Sequence, residues 1–391
     1  MTEVPETGQM GAAQLDALDE AAFRAHVRAW IEANCPEDLR FPQRRLHWRD
    51  NRPWYLKLSA QGWLAPAWPR EHGGLGLGAA KQLILIEELE RHGAPRISDM
   101  GVLMLGPLLI KHGSPEQQAR FLPRILSGED IWAQGYSEPD AGSDLAALRL
   151  EAADHGDHFV LNGQKTWITF ANDANWIFVL ARTDKAAKKQ EGISFLLLPM
   201  DSPGISVRPI LNLDLHDEFC EVFFDDVRVP KAMLVGEVNK GWTYAKALLG
   251  FERIAIGSPR LSANALAAMQ RLAVAMGRAE DPVLADQITR FRLDLADLKA
   301  LYESHVAALK RGEPLGPDAS ILKIVASELF QRISEAMLEL AGEQAGLLHP
   351  MPGPALHPAG QFLLARPATI FGGSSEILRN VLSRALLDLP A

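Results

Sequence analysis

Gln134–Asp144, QGYSEPDAGSD, followed by Asn162–Thr169, NGQKTWIT, decides how this chain reads. The first stretch is a loop of small and hydroxyl-bearing residues. Gly135, Gly142 and Ser143 let its backbone come close to a ligand, because glycine has no Cβ to accommodate. The second reads as a hairpin: Phe159-Val160-Leu161, an Asn162-Gly163 turn, then Lys165-Thr166-Trp167-Ile168. One segment offers N–H and hydroxyl donors, and the other offers the flat indole of Trp167 and the hydroxyl of Thr169. Together they suit a planar, polar-edged, polyphosphorylated ligand. Either motif alone is an ordinary turn or hairpin; the pair in this order is far more specific.

On the N-terminal side, residues 1–130 are helical in pattern. Ala21–Cys35, Trp54–Gln61, Lys81–His92 and Pro115–Leu126 each carry apolar residues at three- and four-residue spacing. Ser114 before Pro115, with Glu116 in the first turn, marks a helix start. Residues 131–236 change to short strand-like runs: Phe159–Leu161, Trp176–Ala181, Ile193–Leu198 and Glu221–Phe224. Turns at 162–163, 201–204 and Asp225-Asp226 separate them. Residues 237–391 return to helix over Gly241–Met276, disturbed near Gly257 and Pro259, then Pro282–Arg311 and Asp318–Leu347. A Pro-rich connection at 349–358 and a short helix opened by Ser374-Ser375-Glu376 complete the chain. Long helices of this kind pack side by side as a bundle. The expected class is α+β, mostly α: an N-terminal α-helical domain (1–130), a small middle β domain (131–236) and a C-terminal four-helix-bundle-like domain (237–391).

Composition excludes several function classes. A formal net charge of −9 over 391 residues argues against nucleic acid, which wants a basic face. The two cysteines, Cys35 and Cys220, form no disulfide framework and read as buried thiols of a reducing compartment. No His and Cys residues stand at metal-ligand spacing, so no metal is expected. No apolar run reaches the roughly 18 residues of a membrane span, and the acidic start lacks a signal pattern. The expected location is cytoplasmic.

With these motifs in place the chain resembles the acyl-CoA dehydrogenase family over nearly its whole length. The likeness rests on Gly62–Gly76 (GWLAPAWPREHGGLG), His112–Glu129, QGYSEPDAGSD, NGQKTWIT, Val222–Pro230 (VFFDDVRVP), Phe251–Gly257 (FERIAIG) and Ile370–Ile377 (IFGGSSEI). The resemblance implies FAD as cofactor, with Gln134, Tyr136, Ser137, Gly142, Ser143, Trp167, Thr169, Ser374 and Glu376 around it. Ser143 meets either the cofactor or the CoA pyrophosphate. Gln287 is matched to the family's cofactor glutamine and Gly342 to its glycine contact from a partner subunit. The family's Arg-x-x-Phe-Gly element has no counterpart in Gly277–Arg290, which leaves open how the adenine end is held.

The implied reaction is α,β-dehydrogenation of an acyl-CoA thioester to a trans-2-enoyl-CoA, with electrons passed to an electron-transfer flavoprotein. It needs a base for the α-proton, and burial raises a carboxylate's pKa toward the required range. Many relatives carry that base where this chain has Gly372. A second group carries it on the first long helix after the β domain, directly before an arginine, which here is Glu252 followed by Arg253. Glu252 is therefore the expected base. Arg253, Gly372 and Gly373 are expected at the substrate, with glycine N–H groups polarising the thioester carbonyl. The implied assembly is a homo-oligomer, dimer or tetramer, or an α2β2 hetero-oligomer. Two alternatives are a flavin oxidase or monooxygenase on the same scaffold, and a non-catalytic subunit of a heteromeric enzyme.

Overall fold

Trp176–Arg182 and Ile193–Pro199 are apolar at nearly every position, and they pair antiparallel with both faces buried. A strand without a polar face has no side to give to water, so both of its faces must be covered. The computed structural model describes residues 10–42, 44–97, 100–246, 256–311, 313, 315–347 and 356–390. The sheet has seven strands: β1 (Trp132–Gly135), β2 (Glu151–Asp154), β3 (His158–Thr169), β4 (Trp176–Arg182), β5 (Ile193–Pro199), β6 (Ile205–Ile210) and β7 (Phe219–Pro230). Their order is β1-β4-β2-β3-β7-β6, with β5 pairing β4 off that path.

The predicted hairpin at Asn162-Gly163 is not there. β3 runs straight through it beside β7, with Leu161 opposite Val227 and Gly163 opposite Phe224. Between these pairs Asp225 and Asp226 oppose the single Asn162, which is a β-bulge. Asn162 secures it, its Nδ2 donating to Asp226 Oδ1 and its Oδ1 accepting the Asp226 N–H, both at 2.9 Å. Asp225-Asp226 is therefore no turn either. Asn-Gly turns a chain only when its flanking strands pair with each other; here both flanks pair with β7.

Before the sheet come α1 (Ala12–Ala17), α2 (Glu20–Asn34), α3 (Trp48–Ala60), α4 (Ala79–His92), α5 (Gly106–His112) and α6 (Pro115–Leu126). α6 starts where the sequence placed it, with Ser114 and Gln117 forming a capping box. Its Phe121 meets Trp132 of β1 and Trp176 of β4 edge-on at 5.4 and 5.1 Å. Its Gln117 Nε2 donates to the carbonyls of Ala232 and Leu234. Helices and sheet thus form one compact unit, residues 1–247. A helical stretch, α7, covers 241–246 as far as the described residues run.

Residues 248–391 form the second unit. It holds α8 (Arg260–Ala275), α9 (Pro282–Lys310), α10 (Ala319–Ala341), α11 (Pro358–Ala365) and α12 (Ser375–Ala385). α10 buries the most side chains of these helices and lies centrally, packing on each of the others. Its Leu322, Leu329, Phe330, Ile333 and Met337 form the middle of that unit's core. The helix expected over 318–347 stops at Ala341, where Gly342 adopts φ 55° and a 3-10 turn follows.

Candidate active site

Within the first unit, the loop after β1 lies against the far end of β3. The Thr166 N–H donates to the Ser137 carbonyl at 2.9 Å. Lys165 is wholly buried and donates to the Tyr136 carbonyl at 3.1 Å and to Glu138 Oε1 at 2.7 Å. The Glu138 carboxylate also accepts the N–H groups of Arg149 and Leu150, at 2.6 and 2.8 Å. Residues 136–138 are therefore fastened on both sides of Ser137. Burial pulls the Lys165 ammonium down to about 8, against the opposing pull of Glu138. A charge this deep is tolerated only when paired and hydrogen-bonded. Glu138 and Ala141 exchange both backbone hydrogen bonds, closing a turn over Pro139-Asp140.

Trp167 stands on a second bulge. Between the pairs Lys165–Val222 and Ile168–Cys220, Thr166 and Trp167 oppose the single Glu221. A bulge re-aims a side chain, and this one throws the indole outward, 61% exposed, at φ 61°. A bulky residue in left-handed backbone costs of order 1–3 kcal/mol and persists where its surroundings force it. The result is a rigid, open aromatic face. Gln134, Ser137 and Thr169 are half-buried, while Gly142 and Ser143 are exposed on the loop. Nothing lies within 4 Å of where a Cβ on Gly142 would stand. Thr169 borders a small cavity lined also by Trp48, Asn51, Tyr55, Phe170 and Asp173. Tyr136 is buried between Phe178 and Phe195, so its backbone is what it can offer a ligand. An open indole, two hydroxyls and an uncrowded Gly-Ser loop fit the ring and phosphates of a flavin nucleotide.

In the second unit, Gly372 and Gly373 adopt φ 65° and 91°, where a side chain would strain the backbone. Lys323, wholly buried on α10, donates to the Gly373 carbonyl at 2.8 Å and so holds this turn. Ser374 caps α12, its Oγ accepting the Ile377 N–H at 3.3 Å. Glu376 is exposed in the first turn, its carboxyl held below the usual range by its own N–H and the Ser374 hydroxyl. Ser375 Oγ is buried with no hydrogen-bond partner among the described residues, an acceptor and donor left over at a helix N-terminus. That end also presents free N–H groups to an electron-rich ligand. Gln287 lies half-buried in the second turn of α9, and Gly342 is exposed at the end of α10. Glu252 and Arg253 lie outside the described residues.

Three residues that the motifs do not single out hold these turns, Glu138, Lys165 and Lys323, and a fourth, Ser375, leaves a buried hydroxyl beside one of them. A signal for two of them existed, since Lys165 and Lys323 each sit at a position whose strand or helix periodicity points inward. A lysine there needs a partner, but the sequence does not say which.

Models of three successive family domains match the chain: the acyl-CoA dehydrogenase N-terminal domain over 18–129, middle domain over 133–227 and C-terminal domain over 239–387. Acyl-CoA dehydrogenase IpdE1 of Mycobacterium tuberculosis is 37% identical over 392 residues, covering 95% of this chain and 98% of that protein. Among solved structures, the Tcur3481-Tcur3483 steroid ACAD is 31% identical with a TM-score of 0.84, covering 95% of this chain and 100% of its own. The ChsE4-ChsE5 complex from Mycobacterium tuberculosis is 28% identical with a TM-score of 0.77, covering 95% and 98%.

Proposed function

The chain belongs to the acyl-CoA dehydrogenase family and is an oxidoreductase of that kind, and from this premise we propose that it binds FAD and converts an acyl-CoA to its trans-2-enoyl-CoA with Glu252 as base. The observation that carries the cofactor assignment is Trp167, held open on its bulge beside the fastened Ser137 loop. Bound FAD would supply the acceptor for the β-hydrogen, taken as hydride.

The chain's own residues do the rest. Bound FAD would be held by the Trp167 face against its ring and by the Ser137 and Thr169 hydroxyls as donors to its polar edge. Gly142 and Ser143 leave room for phosphate. The N–H groups of the Gly372-Gly373 turn polarise the thioester carbonyl, a donor role that strengthens as negative charge grows on that oxygen. Lys323 keeps the turn in register through the Gly373 carbonyl. Glu252 then takes the α-proton, and Arg253 orders the region beside it. A glycine at 372 carries no carboxylate of its own, and Glu252 is the residue we assign in its place.

The substrate we propose is a bulky acyl group of the steroid type, in line with the likeness to the solved steroid ACAD. Electrons go to an electron-transfer flavoprotein. The two solved relatives named as pairs, Tcur3481-Tcur3483 and ChsE4-ChsE5, support a hetero-oligomer over a chain acting alone.

The test is anaerobic titration of the purified yellow protein with a panel of acyl-CoA thioesters, sterol-derived ones included. Substrate should bleach the flavin band, and Glu252→Gln should slow that bleaching about 10²–10⁴-fold, the usual weight of a general base. A Glu252→Gln protein that bleaches at the wild-type rate removes Glu252 from the mechanism. Fast reoxidation of the bleached protein by air would favour an oxidase instead.

A further inference from the structure

His47, His216 and Asp217 come from segments 170 residues apart and meet beside the sheet. His47 directly precedes α3, and the other two lie in the loop between β6 and β7. One ligand atom from each, two imidazole nitrogens and a carboxylate oxygen, lie within 4.8 Å of one another. His47 Nε2 stands 3.0 Å from Asp217 Oδ1. Two ligands on a tetrahedral ion, with bonds of about 2.0–2.1 Å, stand roughly 3.3 Å apart. The ring centroids of His47 and His216 are 5.1 Å apart. By the same geometry two imidazoles sharing one ion have centroids about 5 Å apart.

The surrounding contacts point the same way. His47 Nδ1 lies 2.9 Å from Asp173 Oδ2, and that carboxylate also accepts the Trp48 N–H at 2.7 Å. A carboxylate on one ring nitrogen fixes the tautomer and aims the lone pair of the other at a metal. Here that lone pair would face the Asp217 oxygen, and two lone pairs cannot face each other at this distance. Something positive has to lie between them, either a proton or a cation. Asn172 Nδ2 holds the other Asp217 oxygen at 3.1 Å, leaving Oδ1 free to face inward.

We propose that His47, His216 and Asp217 bind a divalent transition-metal cation of the zinc type, with Asp173 and Asn172 orienting the ligands. Two nitrogens and one oxygen suit zinc better than magnesium or calcium, which take oxygen sets. The Asp217 side chain is 44% exposed, so water can complete the coordination. Arg44 opposes the site through its charge near His216, and Arg45 is engaged with Glu218 at 3.7 Å. Asp173, Asp214, Asp217 and Glu218 outweigh these two guanidiniums. Phe170 N–H donates to the Glu218 carbonyl at 2.7 Å, so the metal loop is tied to the end of β3 beside Thr169. A bound ion would join the start of α3 to that end of the sheet.

The full-length protein, stripped with chelator and dialysed, is titrated with zinc chloride by calorimetry, and with Co²⁺ as a visible-band probe. About one equivalent should bind per chain, with the melting temperature rising as zinc is added. Asp217→Asn keeps the shape of a half-exposed side chain and should abolish binding or weaken it at least tenfold. Asp173→Asn should weaken it about 10–100-fold, as loss of an orienting carboxylate does. Wild type that takes up no zinc, or takes it up just as Asp217→Asn does, overturns the site and makes His47 an imidazolium held between two carboxylates.

Discussion

Gly142 and Trp167 carry opposite kinds of exposure. Gly142 is open because it has no side chain, and a methyl group there would touch nothing. Its φ is ordinary, so Gly142→Ala should leave thermal stability within about 0.5 kcal/mol of wild type. If the loop seats phosphate, the same change should lower the FAD bound after purification and raise its dissociation constant several-fold. Unchanged FAD retention would mean the loop does not approach the cofactor at Gly142. Trp167 is open because a bulge forces it out, which no residue-level rule reveals. Its type and its place in NGQKTWIT were legible. Its left-handed backbone was not, because that depends on Glu221 standing alone opposite two residues of β3.

At the scale of elements, the informative unit is the join between the loop after β1 and the end of β3. Lys165 and Glu138 make that join from inside. Removing one partner leaves the other charge buried and unpaired, which costs about 3–5 kcal/mol. Lys165→Met should therefore lower the urea midpoint of the protein sharply, and the double change Lys165→Met with Glu138→Gln should recover part of the loss. Equal destabilisation by the single and double variants would show that the pair does not act as a pair. The element boundaries divide along the same line. α6 was readable because Ser114, Pro115 and Gln117 are local signals. The turn signal at Asn162-Gly163 makes no hairpin, because a partner strand some sixty residues away overrides it.

At the scale of the whole molecule, the residues named in the proposal fall in two compact units. Trp167, Ser137 and Thr169 belong to the first; the Gly372-Gly373 turn and Ser375 belong to the second. The second unit also leaves Val274, Val283 and Leu293 exposed at 68, 76 and 62%. Scattered apolar exposure is ordinary, but several such residues on the helices of one bundle suit burial against another subunit. Native mass spectrometry of the purified protein should thus give an oligomer, alone or with a second chain type, and a monomer that retains FAD would contradict this. By itself the sequence determined the family, the fold class, the motifs from which a cofactor seat is proposed and the absence of a carboxylate at 372, because each is written in residue types at short spacing. Only the tertiary structure decided that β3 runs unbroken, that Lys165 and Lys323 brace the two turns, and that His47 meets His216 and Asp217. Those are contacts between residues tens to well over a hundred positions apart, and side-chain patterns carry no record of which distant partner packing will select.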